Sequence, residues 1–485
     1  MKRTKHILLI VSVLILGGCE LTEVDTISDI TNDQYWSSQG DVESYLFGIY
    51  NKFRDTQNST YYFEDRGDTF VPGLEAGLST AWNQNLSPQN APNWLTFYNL
   101  IHHCNLLLKH SADIEFQKAE DRNQIVAETY FIRAFTYFTL LKSWGDAPLE
   151  LEPTESASKP QLPRAPKNEV MAQVLSDIDM ALELFPGDGL VSKSRASRAA
   201  AHALRADVLL WKAKVLGGSD ADLEAVIASV DAASAGVSLE QDFAKIYDTE
   251  NKNGPEVIFS LHFDFEEKSG NEGDDLSHYS KNLKPRDIFV QDAVNFDDIP
   301  YARSGARSGY APSPKLEAAF DENPDDIRKD ISIIEAIAED NSVIGVFDNK
   351  MRGTVVTENR EYDSDIIVYR LAEMILFRAE ALAALNRTGE AVAELNKIRN
   401  RAQIGNYNGD MGKNTVEYEI LKERFRELYL ELKRWPDLLR FHYAGTIDVY
   451  SEVPNLSGTN VPLYFPIPVV QIDRNPNLKQ TEGYE

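Results

Sequence analysis

The stretch YRLAEMILFRAEALAALNRTGEAVAELNKIRNRA, Tyr369–Ala402, decides the fold. It reads as two helices with apolar faces, joined at Asn386–Gly389 and folded back on each other, with Gly389 at the turn and Ala391 at the tight contact. Neither half can bury its apolar face alone. Stacking such units completes a core that each lacks.

The same pattern recurs on both sides. The run IVAETYFIRAFTYFTLLKSWGDAPL, 125–149, is apolar nearly all round, which predicts a buried helix stopped by Gly145 and Pro148. Further on, Leu421, Phe425, Leu428, Leu432, Trp435 and Leu439 step by four and three in alternation, predicting one apolar stripe on a helix that Pro436 kinks or ends. Helix–turn–helix units of this kind are the logic of tetratricopeptide-type repeats. The fold class is therefore all-α: an α-α superhelix of about four tetratricopeptide-like pairs, near 92–144, 168–215, 365–402 and 415–443, with a loop-rich, partly β irregular face. A Pro/Ser-rich connector, 152–167, separates the first two pairs, and residues 220–235 offer a further helix. The irregular face falls to two long segments, about 57–93 and 262–328. Between the helical signals, EVIFSLHFDF at 256–265 alternates like a strand. Residues 41–485 read as a single domain.

The amino-terminal end has a different character. Lys2, Arg3 and Lys5 precede an apolar run, Ile7–Leu16, that is too short for a bilayer span of about 20 residues but suits an export signal. Leu16-Gly17-Gly18-Cys19 resembles the lipobox of bacterial lipoproteins. That resemblance implies cleavage before Cys19 and acylation of its sulfur and new amino terminus, with residues 1–18 as signal peptide and 19–40 as a polar tether. Several acyl chains anchor stably where one does not. The expected site is thus a membrane surface, held by lipid at Cys19.

Removing residues 1–18 takes away three positive charges and no negative one, so a formal charge of −27 becomes −30. Nucleic acid and anionic lipid repel such a chain. Acylation of Cys19 leaves Cys104 as the single thiol, so stability is expected from packing and not from disulfides. Enzyme signatures such as HExxH, GxSxG, a Walker A loop and GxGxxG are absent from the sequence. Adjacent side chains on a helix diverge by about 100°, so His102, His103 and Cys104 cannot converge on one metal ion. Glu423, Glu427 and Glu431 share a helix face where an acid/base pair could sit, yet Arg424, Arg426 and Arg434 interleave with them, which points to salt-bridged packing. No cofactor is expected; the acidic run FDFEEKSGNEGDD could hold a structural calcium but lacks EF-hand spacing.

Aromatic residues stand where a core does not demand them. Trp82 lies among Asn83, Gln84, Asn85, Ser87 and Gln89, while Tyr279, Tyr301 and Tyr310 share a Gly/Ser-rich segment with Arg286, Arg303 and Arg307. Flat rings beside amides, carboxylates and guanidinium groups suit a sugar, which has an apolar face and a polar rim. The candidate ligand residues are Asp68, Trp82, Asn83, Asn85, Tyr279, Tyr301, Arg303 and Tyr310.

Taken in order, the lipobox at Cys19, WLTFYNLIHHCNLLL (94–108), AETYFIRAFTYFTLLKSWGDAPL (127–149), the 369–402 stretch, ERFRELYLELKRWPDLLR (423–440) and FPIPVVQIDRNPNLKQTEGY (465–484) resemble the SusD/RagB family of nutrient-uptake outer-membrane lipoproteins. Where that family has Glu-Gly-His/Lys-Arg-Trp, this chain has Glu431-Leu432-Lys433-Arg434-Trp435. The resemblance implies a surface-exposed, lipid-anchored binder of oligosaccharide, polysaccharide or another polymer fragment. It further implies delivery to a SusC-like TonB-dependent transporter in the outer membrane, over which the protein sits as a lid, and no catalytic residues. A surface glycoside hydrolase and a purely protein-binding scaffold are the alternatives. The resemblance assigns no ligand residues; those above rest on composition.

Overall fold

The structure is a computed structural model that describes residues 35–75, 77–156, 158–189, 192–264, 266, 282–303, 306–356 and 359–484. Residues 1–34, Cys19 among them, lie outside the described residues, as do Tyr279 and most of the acidic run considered for calcium.

The long helices are α1 (Gln39–Gln57), α2 (Leu95–His110), α3 (Ala119–Trp144), α4 (Lys167–Leu184), α5 (Arg198–Val215), α6 (Asp220–Ala233), α7 (Leu371–Ala384), α8 (Thr388–Arg401), α9 (Lys413–Glu427) and α10 (Arg434–Tyr443). Each packs on its neighbour in sequence from α2 through α8, which is the stacking of a superhelix. The expected α3 burial holds: from Ile125 to Trp144 nearly every side chain is buried, and Gly145, at φ +73°, ends the helix. A polar pair inside that packing, Arg133 to Asp177 at 2.7 and 2.8 Å, ties α3 to α4.

Residues 220–233 are more than an optional helix, because α6 packs against both α5 and α7. Ser219 and Asp222 form a capping box at its start. A Cβ on Gly218 would lie 2.6 Å from the Asp222 carboxylate and 2.9 Å from the Ala213 backbone, so only glycine lets α5 turn so closely into α6. At the α7–α8 turn the left-handed residue is Asn386, at φ +61°, while Gly389 is already inside α8. Ala391 is fully buried at the contact, as expected.

Two expectations fail. The apolar stripe from Leu421 to Leu439 is not one helix. α9 ends at Glu427, and α10 restarts at Arg434 with Pro436 in its first turn, where a missing N–H costs nothing. The intervening turn passes through Leu430 and Leu432 at φ +61° and +60°. The second of these is where the related family carries glycine, the residue that meets this backbone without strain. The tether also ends sooner than residue 40. Trp36 packs against the core with its ring stacked on His110 at 4.8 Å, and Ser38 caps α1.

The strands are short: β1 (Phe70–Pro72), β2 (Val257–Leu261), β3 (Tyr310–Pro312), β4 (Ile333–Ile337), β5 (Val343–Asp348), β6 (Thr354–Val356), β7 (Asn359–Glu361) and β8 (Ile366–Arg370). They pair antiparallel as β1–β3, β2–β8, β4–β5 and β6–β7. β2–β8 is fully buried against the helices; the other three pairs build the irregular face.

Candidate functional site

Two distant segments are joined to make this face. β1 and β3 pair Phe70 with Pro312 and Pro72 with Tyr310, and the Gly73 and Glu75 N–H groups donate to the Gly309 and Ser308 carbonyls at 3.0 and 2.8 Å. A Cβ on Gly73 would come within 2.5 Å of the Ser308 carbonyl oxygen, so the strands meet this closely only because that residue is glycine. The Glu75 carboxylate pairs with Arg286 at 2.6 Å. Lys284, fully buried, pairs with Asp348 at 2.6 Å and anchors the start of the segment that follows.

Two of the predicted ligand residues, Asp68 and Tyr310, are held inside the fold. Asp68 is buried and bidentate to Arg434 at 2.6 and 2.8 Å, with the Lys315 ammonium also at 2.8 Å. Burial alone would raise its carboxyl, but Arg434 and Lys315 outweigh burial and hold it at about 2. Both carboxylate oxygens are thereby committed to the fold. Tyr310 is 6% exposed; its hydroxyl donates to Asp65 at 2.9 Å and accepts from the Ser79 N–H at 3.2 Å. Neither side chain is open to a ligand. Much of the 57–93 segment is likewise interior: Arg66 is fully buried, donates to the Leu463 and Pro462 carbonyls and Gln84, and lies 4.7 Å from the Trp435 ring centroid.

Trp82 is half-buried, with its indole N–H donating to the Phe70 carbonyl at 2.9 Å. Asn83 and Asn85 beside it are exposed. The Asn83 amide donates to the Ser79 carbonyl at 2.9 Å, which fixes it in the turn.

Tyr301 and Arg303 do come together. They line a cleft of about 310 Å³ with Asp297, Val355, Asn359 and Arg360. The Tyr301 ring stacks on Phe296, centroids 4.4 Å apart and planes 20° apart, above a small apolar cluster containing Val290, Ile299 and Phe347. That stacking sets the ring before any ligand arrives, so little rotamer entropy remains to be lost. Arg303 has a side chain 59% exposed and 4.0 Å from Asp287, and its backbone N–H donates to the Asn359 side-chain oxygen at 2.9 Å. Arg360 donates to the Arg352 carbonyl at 3.0 Å, and its buried Nε has no partner among the described residues. Burial, then the nearby Arg352 charge, lowers the Arg360 pKa. The cleft thus offers one fixed ring, amide and guanidinium donors and a carboxylate: groups that hold a polyol.

Asn359, Arg360 and Val355 escaped sequence reasoning. The run TVVTENRE, 354–361, does carry a hairpin signal, β-branched residues followed by a polar pair, but it falls outside both loop segments singled out. Of the other flagged groups, the His103 ring meets the Tyr45 hydroxyl at 2.6 Å, His102 accepts from the Thr154 N–H at 3.1 Å, and Cys104 is buried, its thiol pushed up to about 12 by burial.

A sequence profile described as "SusD family" matches residues 229–484, and one described as "Starch-binding associating with outer membrane" matches 24–210. SusD-like protein P38 of Formosa agariphila is 27% identical over 528 residues, covering 100% of both chains. The starch-binding protein SusD of Bacteroides thetaiotaomicron is 37% identical over 128 residues, which is 25% of this chain and 22% of that protein. Among solved structures, B. fragilis NanU superposes with a TM-score of 0.81 at 26% identity, covering 95% of this chain and all of that one.

Proposed function

The chain belongs to the SusD family, and on that premise we propose that it is a cell-surface lipoprotein that captures an oligosaccharide or polysaccharide segment for import. The single observation that carries this reading to a place on the molecule is the Tyr301 ring, held by Phe296 beside Arg303 and Asn359 in an open cleft. One stacked ring buries about 100 Å², or roughly 2–3 kcal/mol, which with a few hydrogen bonds gives millimolar to micromolar affinity after ordering costs. Weak capture suits a protein that must release what it holds.

In this reading acylated Cys19 fixes the protein to the outer membrane, and a SusC-like TonB-dependent transporter receives the glycan. The outer-membrane association in the matched profile's description and the starch-binding relative support the placement and the ligand class. The Tyr301 cleft contributes binding groups, not a reaction. Incubating the purified protein with a polysaccharide panel tests this: retardation in affinity gels without new reducing ends is expected. New reducing ends would make it a surface hydrolase. Retention of a transporter with no glycan retarded would make it a scaffold.

A further inference from the structure

A second cleft, of about 550 Å³, lies where the carboxy-terminal tail crosses the end of α3. It falls within the range of small-molecule sites. Arg164, Lys167 and Lys479 line it, and among the described residues none of the three has a carboxylate within ion-pair distance. Arg164 spends its donors on the Trp144, Asp146 and Lys479 carbonyls, pinning the tail while keeping its charge. Two acids share the cleft. Asp146 accepts the Lys167 backbone N–H at 2.8 Å, and Glu482 stands exposed at the rim. The local balance is one positive charge in a chain of formal charge −27.

Two hydroxyls mark the cleft as incomplete. Thr481 is 6% exposed, and among the described residues neither its buried Oγ1 nor the buried Tyr464 hydroxyl has a hydrogen-bond partner. Buried polar groups are rarely left unpaired, because each forfeits its hydration. The Tyr464 ring lies flat against Gly145, which has no side chain to hold it off, and the Lys167 ammonium sits 5.8 Å from the ring centroid.

We propose that this cleft binds an acidic sugar residue, a uronate or a sulfate ester, with its anionic group between Lys167 and Lys479 and its ring hydroxyls on Thr481 and Tyr464. This site is separate from the Tyr301 cleft and stands whether or not that cleft binds glycan. The test is calorimetric titration of the full mature chain with trigalacturonate, κ-carrageenan tetrasaccharide, neutral maltotriose and inorganic sulfate. At least one acidic oligosaccharide should bind saturably, more tightly than maltotriose or sulfate. Lys167→Ala with Lys479→Ala should weaken it about tenfold or more, since each removes a charge-assisted contact. Among the described residues neither ammonium makes a hydrogen bond, so the variant should keep its melting temperature. Tyr301→Ala with Arg303→Ala should leave this binding intact. The proposal fails if neither acidic oligosaccharide binds, if sulfate or maltotriose binds as tightly, or if the lysine variant binds like the parent.

Discussion

Arg370 and Glu427 meet at 2.6 Å in the interior, both without solvent exposure. Arg370, the last residue of β8, also bonds Glu431 at 2.8 Å and Glu256 at 2.6 Å. Glu427, the last of α9, also takes Arg401 and, at 2.9 Å, Arg328. Lys350 closes the network on Glu431 at 2.8 Å. The network joins the helical body to the segments carrying the irregular face, and so fixes where the Tyr301 cleft stands. The expectation of salt-bridged packing for Glu423, Glu427 and Glu431 holds, but for Glu427 and Glu431 the partners come from remote segments and not from the interleaved arginines.

Replacing Arg370 by Leu takes one cation from three buried carboxylates, Glu256, Glu427 and Glu431, leaving them to Arg401, Arg328 and Lys350 alone. Breaking a buried pair from one side costs about 3–5 kcal/mol. The urea midpoint of Arg370→Leu should therefore fall well below that of the parent; an unchanged midpoint would show that the network holds nothing.

Acid should unfold the protein through its buried, cation-paired carboxylates. Asp68, Glu380, Glu423 and Glu431 are each subject to burial, which raises them, but neighbouring cations dominate and hold each at about 2. Their folded values lie below unfolded values of about 4, so the stability they contribute is full above pH ~5 and is lost as pH falls towards 2. In isolation each would be worth about 2–3 kcal/mol, and the sum is smaller because Glu423 and Glu431 draw on one linked set of cations. Denaturant titrations from pH 6 to 2.5 should show this slope, and a flat profile would contradict it.

Glu64 works in the opposite sense. It is raised to about 7 by burial, against hydrogen bonds from Thr69 and from the Lys433 and Arg434 N–H groups. A folded value above the unfolded one means stability declines as pH rises from about 4.5 to 7, by up to about 3 kcal/mol. Glu64→Gln should abolish this decline between pH 5 and 8; equal slopes in parent and variant would refute the assignment.

Helices were legible wherever an apolar face had to be buried, as in α3, α7 and α8. The break between α9 and α10 was not, because Leu428 and Leu432 keep the four-three spacing while the backbone leaves the helix, with no glycine to announce it. In the site, Tyr301 and Arg303 were readable because among the described residues no remote polar group bonds their side chains: the Tyr301 ring stacks on nearby Phe296, and the Arg303 guanidinium has only a loose 4.0 Å approach of Asp287. Asp68 was misread because its partner, Arg434, lies 366 positions along the chain. Local composition cannot distinguish a carboxylate waiting for a ligand from one already paired.

The most direct test of glycan capture at this cleft is affinity-gel binding by the parent and by Tyr301→Ala with Arg303→Ala, against whichever polysaccharide the parent retards. The account predicts binding weakened at least about tenfold, from a lost ring contact of roughly 2–3 kcal/mol, at an unchanged melting temperature. Full retardation of a folded double variant would place the ligand elsewhere on the molecule.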